Sequence, residues 1–260
     1  MLASLIMTGS PTAHAAESPL QSIQDFLGTK KTVIYNQITE DISPSDKKSQ
    51  ENITPTDKKK IPKEITDPKE IERAAEFAAK ATGVRKDFLM GMLEVESDLG
   101  RKTGACTYKE VEDGAENSHN NGMLGDRAYN TFLNRRETIK DLAKDLGYDY
   151  EQLKVSCNPA GYVGTGGALG VPQFMPDIWM DYKDQISEIV GKENPDPWNA
   201  EDGVVAMALL LKDTPGVTDH NYYAERNAAK MYLSGTTSYI YDWYADQAFY
   251  WAQNYQKLLG

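Results

Sequence analysis

Apolar residues recur at helical spacing from residue 67 onward and are sparse in the thirty residues before it. Asp67 suits an N-cap, Pro68 the first helical position, and Glu70 would complete a capping box. Ile71, Ala74, Ala75, Ala78 and Ala81 then form one stripe, and Gly83 should stop the helix. Further helices are expected at 85–98 and 127–145, with a short one at 149–155. Between the first two of these lies a Gly- and Asn-rich loop, "KTGACTYKEVEDGAENSHNNGMLGD". "GYVGTGGALG" reads as a glycine loop. Asp177 should open a helix striped by Ile178, Tyr182, Ile186 and Ile189 and closed by Gly191. Asn199 caps "AEDGVVAMALLLKD", which is apolar on nearly every side and reads as a central buried helix. Two more helices fall near 222–233 and 239–258. No strand ladder is evident, so the fold class is all-α, with minor β content expected in the loop at 100–125.

The stretch before residue 67 has a different character. Residues 38–66 are rich in Ser, Thr, Pro, Asp and Lys, and "SPSDKKS" and "TPTDKKK" loosely repeat. Such a segment cannot bury enough surface to offset its ordering entropy. The expected organisation is an export signal at 1–16, a disordered tether at 17–66 and a domain at 67–260. Residues 20–36 suit a short helix or a strand equally. The signal rests on a short apolar run followed by the small residues Ala13 and Ala15, with cleavage before Ala16 or Glu17. The run lacks a Lys or Arg ahead of it and is too short to span a membrane. No Cys follows it, which speaks against a lipid anchor. Export places the chain in the periplasm or outside the cell.

Composition narrows the function. The chain has 260 residues, 40% hydrophobic and 10% aromatic, enough for a full-sized core. Its formal net charge of -11 and pI near 4.8 argue against nucleic acid as a partner. The glycine loop lacks the Lys-Ser/Thr ending of a phosphate loop. The three His are scattered, so no metal site is expected. Two cysteines, Cys106 and Cys157, would pair in an exported chain and would be buried thiols in a cytosolic one.

"GMLEVESDLG", residues 91–100, holds three acids, and helical geometry separates them. Leu89, Met92, Leu93 and Glu96 share one stripe. Glu94 and Asp98 lie about 200° away round the helix, on what should be the solvated face. Glu96 therefore faces apolar surroundings, where desolvation favours the protonated carboxyl that a general acid needs. A salt-bridged Glu at a helix end is the plain alternative.

Glu96-Ser97 is followed in order by "GALGVPQFMP" (167–176), "DPWNAED" (196–202) before an apolar helix, and "YLSG" (232–235). This order resembles the lytic murein transglycosylases of the lysozyme-like superfamily, over roughly residues 67–258. The resemblance implies a lysozyme-like, α-rich fold acting on peptidoglycan glycan strands. Cleavage would fall between N-acetylmuramic acid and N-acetylglucosamine, with a 1,6-anhydro product and no cofactor. Glu96 would be the catalytic acid and base, Gln173 a substrate contact, and Phe174 and Met175 walls of the cleft. Gly167 and Gly170 would let the backbone approach a sugar. Tyr232 would hydrogen-bond the catalytic carboxyl, and Ser97 follows the Glu as in the family. A monomer is expected, with cell-envelope machinery a candidate further partner.

This chain departs from the pattern where Leu233 replaces a substrate-contacting Asn, and where Gly164 and Thr165 stand in place of a Ser. Residues 101–160 are longer than the minimal family domain. Two other readings compete. A goose-type lysozyme-like hydrolase would need a positioned water and a second carboxylate, with Asp98, Asp177 and Asp181 as candidates. A non-catalytic glycan-binding scaffold would have no use for both Glu96 and Gln173. The aromatic tail fits core packing: Ile240, Tyr244, Ala248, Trp251, Tyr255 and Leu259 form one stripe, and Trp179 and Trp198 are read likewise.

Overall fold

A computed structural model describes residues 59–65, 67–160 and 164–260. The expected signal and most of the expected tether lie outside these residues. Within them the chain folds into eight α-helices with two short strands. The helices are α1 (Pro68–Thr82), α2 (Lys86–Ser97), α3 (Tyr108–Asn120), α4 (Asp126–Leu146), α5 (Pro176–Val190), α6 (Ala200–Lys212), α7 (Tyr222–Ser234) and α8 (Asp242–Asn254). None of them is long and apolar enough to cross a membrane.

Two helix pairs form the centre. In α1 the buried residues Ile71, Ala74, Ala75 and Ala78 give a small-residue face that lets α6 approach closely. Asp67 caps α1 by accepting from the Lys69 N–H at 2.9 Å, and Gly83 ends it at φ 80°. Glu70 donates its backbone N–H to the Asp67 carbonyl, so the expected reciprocal capping box is not what starts this helix. α6 is buried from Ala200 through Leu209 apart from Glu201, as a central helix should be, and Asn199 caps it through the Glu201 and Asp202 N–H groups.

The second pair, α2 and α8, crosses at Gly91. A Cβ there would lie 2.0 Å from the Ala248 carbonyl oxygen and 2.7 Å from the Ala252 nitrogen. Only glycine permits that approach. Glu96 lies five residues beyond the crossing on α2, and Tyr244 four residues before it on α8. At 1.5 Å per residue both are roughly 6–8 Å from the crossing point, and an antiparallel arrangement brings them together.

The Gly- and Asn-rich loop turns out to contain α3. Thr107 accepts from the Glu110 N–H at 3.2 Å, and the Glu110 carboxylate accepts from the Thr107 N–H at 2.7 Å. This is a full capping box, written as "TYKE" in the sequence. The short helix expected at 149–155 is one 3-10 turn (Tyr150–Gln152) followed by β2 (Lys154–Val155). β2 pairs antiparallel with β1 (Cys106–Thr107), matching Cys106 to Val155. The minor β content thus includes the expected loop, but its partner comes from the segment expected to be helical. The tail expected as one helix is α8 flanked by 3-10 turns at Tyr239–Tyr241 and Tyr255–Leu258.

The packed domain also begins earlier than Asp67. Lys60 donates its N–H to the Gly147 carbonyl (3.0 Å) and accepts from the Asp149 N–H (3.1 Å). Ile65 is buried. Its side chain lies close against Gly100, where an added Cβ would meet it at 3.3 Å.

Candidate active site

Glu96 occupies the last turn of α2 and is half-buried. The helix stops abruptly behind it. Asp98, Leu99 and Gly100 all take left-handed φ values of 52°, 50° and 81°. Leu99 is fully buried, which holds a non-glycine residue in a conformation that costs free energy. Ser97 is buried too. Its hydroxyl donates to the Leu93 carbonyl (3.2 Å) and accepts from the Gly100 N–H (3.1 Å). Ser97 therefore fastens the turn that aims Glu96, and its side chain is turned into the protein.

The Glu96 carboxyl receives a hydrogen bond at Oε1 from the Tyr244 hydroxyl. Tyr244 is fully buried, so its phenol is held well above its ordinary pKa, first by burial and then by the Glu96 charge. Tyr232 is the residue expected to donate here. Its hydroxyl donates to the Pro172 carbonyl. Tyr232 still stands near Glu96, because after burial the Glu96 charge is the second cause that raises its pKa. Periodicity places Tyr244 on the core stripe without assigning its hydroxyl a role. A hydroxyl on a fully apolar stripe must find a partner, and that is the signal by which Tyr244 could have been found.

Pro172 leads into Gln173, so Tyr232 ties the surroundings of Glu96 to the glycine loop. Gln173 is half-buried at φ 51°. Its amide nitrogen donates to the Gly170 carbonyl (2.7 Å) and the Thr103 carbonyl (3.1 Å). The amide hydrogens thus join the glycine loop to the loop after α2. Phe174 is fully buried against Tyr232 (centroids 5.7 Å apart), and Met175 is buried beside it. They underlie the site and do not present a surface to a ligand. Gly170 is required by the chain itself, since a Cβ would sit 1.9 Å from the Pro197 carbonyl oxygen. Gly167, at φ 100°, is buried as well.

The other acids meet different partners. Asp98 pairs with Arg101 and with Lys102 (3.1 Å). The Glu94 side chain is only 12% exposed and stands 4.0 Å from Arg101, so the expected solvated face is half true: Asp98 reaches it, Glu94 does not. Burial, aided by the Asp98 charge, pushes the Glu94 pKa up against the pull of Arg101 and Lys102. Asp177 forms a two-pronged pair with the buried Arg135 at 3.1 and 2.7 Å. Asp181 is exposed on α5, its pKa raised by partial desolvation and by Asp177. Asp196 and the fully buried Asp202 hold the "DPWNAED" turn: Lys192 and the Asp196 N–H bind Asp202 at 2.5 and 2.8 Å. Cys106 and Cys157 form a disulfide joining β1 to the residues just after β2. No cluster of His, Cys, Asp and Glu suited to a metal occurs among the described residues.

No family model matches the chain, and no curated protein does. Among solved structures it is similar to the Escherichia coli lytic transglycosylase Slt35 in complex with bulgecin A, at 23% identity and a TM-score of 0.40. That alignment covers 58% of this chain and 46% of the other. It is similar to the same degree, at 24% identity, to a 36 kDa muramidase/transglycosylase, covering 58% of this chain and 47% of that one. The chain thus spans about half the length of the proteins it matches.

Proposed function

We propose that this chain is a peptidoglycan lytic transglycosylase of lysozyme-like fold, with Glu96 as its single acid and base. The observation that carries this reading is the setting of Glu96. It is a partly buried carboxyl on an otherwise apolar helix face, fixed at one oxygen by a buried tyrosine from a different helix. Tyr244 holds Oε1, and the protonated carboxyl carries the proton to be transferred. That proton would pass to the glycosidic oxygen as the bond between N-acetylmuramic acid and N-acetylglucosamine breaks. The substrate's acetamido group would assist departure, so no second protein carboxylate is needed, one of the known exceptions to the paired rule. The ionised Glu96, still steadied by Tyr244, would then take the C6 hydroxyl proton as the 1,6-anhydro ring closes.

Two of the three candidate acids for a hydrolase, all but Asp181, are already paired. Asp98 and Asp177 are engaged with arginine or lysine. Neither is a free base for water. Digestion of purified sacculi followed by mass spectrometry is the test. Anhydro-muropeptides would support the proposal, reducing ends would mean a hydrolase, and no release would leave a binding role. The order of motifs from Glu96 to Gly235 also supports an exported, wall-directed protein, with the disulfide fitting an oxidising compartment.

A further inference from the structure

We propose a second, non-catalytic binding site, for a saccharide bearing an anionic group, in a cavity at the C-terminal end of α4. The cavity has a volume of about 460 Å³, within the range of small-ligand sites. Its walls are Lys59, Lys60, Lys140, Lys144, Tyr148 and Tyr150, with Ala143 and Gly147 completing it. Four lysines thus line one cavity, and among the described residues no carboxylate shares the lining, in a chain whose formal net charge is -11.

The lysines come from two separate segments. Lys140 and Lys144 lie one turn apart on α4, a spacing at which like charges repel. Lys59 and Lys60 arrive on the strand-like segment pinned to Gly147 and Asp149 by the two Lys60 backbone bonds. Lysines in the last turn of a helix favour its dipole, which accounts for Lys144. It does not account for two more brought to the same cavity from elsewhere in the chain. Lys140 reaches Glu137 at 3.2 Å. Among the described residues Lys59, Lys60 and Lys144 make no ion pair. An entering anion would relieve this repulsion.

The tyrosines narrow the ligand to something with a ring. The Tyr148 hydroxyl is turned away to Asp196 at 2.6 Å, leaving its ring as wall. Lys140 sits 5.5 Å from the Tyr150 ring centre. Aromatic faces beside ammonium groups suit a sugar ring carrying a phosphate or a carboxylate, with the ring packed on tyrosine and the anion met as a point charge. The site is independent of Glu96 and of the function proposed for it.

Calorimetric titration of the full chain with glucose 6-phosphate, glucuronate, inorganic phosphate and glucose tests this. At least one of the two anionic sugars should bind one to one, more tightly than phosphate or glucose, and should weaken as NaCl is raised. Which of them binds distinguishes phosphate from carboxylate. Lys140→Gln with Lys144→Gln should lower that affinity at least tenfold while leaving the melting temperature and muropeptide release unchanged. Should the double variant unfold, Lys60→Gln, an exposed change on the opposite wall, should produce the loss. The proposal is overturned if neither anionic sugar binds at millimolar concentration, if phosphate alone binds as tightly as the sugars, or if the folded lysine variants bind like wild type.

Discussion

Glu94 and Glu96 stand two residues apart on α2 and meet opposite chemistry. Glu96 faces α8, where it receives a hydroxyl from Tyr244 and has Tyr232 nearby. Glu94 faces the loop after α2, where Arg101 is its nearest cation at 4.0 Å. Both are partly withdrawn from water, so burial alone does not separate them. The difference lies in what the neighbours can do. A neutral donor fixes a carboxyl without adding a charge beside it, whereas a cation pulls it toward the ionised form, a pull that burial outweighs at Glu94. Enclosure therefore identifies candidates, and the charge of the partner decides which one suits acid–base chemistry.

The sharpest way to break this comparison is Glu96→Gln. The amide keeps the shape and still accepts from Tyr244, but it has no titratable proton. Release of anhydro-muropeptides from sacculi should fall by about 10²–10⁴-fold or more. The melting temperature should hold or rise, because functional carboxyls held at apolar faces commonly cost stability. Near-wild-type release would remove Glu96 from the mechanism.

The disulfide sharpens the comparison from the other side. Cys106–Cys157 closes a segment with a sequence separation of 51, and the loop that leads into it supplies Arg101 to Glu94 and Thr103 to Gln173. Replacing both cysteines by serine should lower stability by about 4 kcal/mol in the chain-entropy view. Denaturant unfolding measures this. The α2–α8 crossing at Gly91 lies outside that loop, so the protein that stays folded should keep most of its turnover. Loss of turnover without loss of stability would mean that the outer loop, and not α8, organises Glu96.

Tyr244→Phe probes the inner contact directly. A hydrogen bond to a charged group contributes about 1.5–3 kcal/mol, so kcat should fall roughly 10–100-fold. KM should stay unchanged, since Tyr244 is fully buried and positions the acid without reaching the substrate. Tyr232→Phe should cost less in kcat, because its hydroxyl serves the Pro172 carbonyl. Equal effects would mean that the two tyrosines share the role.

Much of this arrangement is legible in the sequence. Periodicity separates Glu96 from Glu94 and Asp98, the caps at Asp67 and Asn199 mark α1 and α6, and Gly83 and Gly191 mark helix ends. What escapes it has physical reasons. α3 buries Tyr108, Val111, Ala115 and Ser118, a stripe whose last two members are too small or polar for a hydropathy pattern to register, although its capping box is in plain sight. Tyr244 is hidden because one stripe serves both core packing and a single hydrogen bond. The glycine loop misleads for a third reason. Gly170 is as compatible with close approach of a ligand as with close approach of Pro197, and only three dimensions distinguish the two.

The mildest substitution, Glu94→Gln, tests whether enclosure without a neutral donor has any catalytic consequence. Turnover should stay within a few-fold of wild type. Stability carries the signal instead. Burial raises the Glu94 pKa in the folded protein above its unfolded value of about 4.3. A carboxyl shifted in that direction contributes stability that is fully present below the unfolded pKa and is lost as pH rises through the folded one. At pH 7 the ionised side chain is therefore a net cost, even with Arg101 beside it. The Gln variant should melt at the same or a higher temperature at pH 7, and that advantage should shrink as the pH is lowered toward about 4. Melting curves of both proteins from pH 4 to pH 7 measure this. A Gln variant clearly less stable at pH 7 would mean that the Arg101 pair outweighs burial, and a variant devoid of turnover would exchange the roles of the two acids.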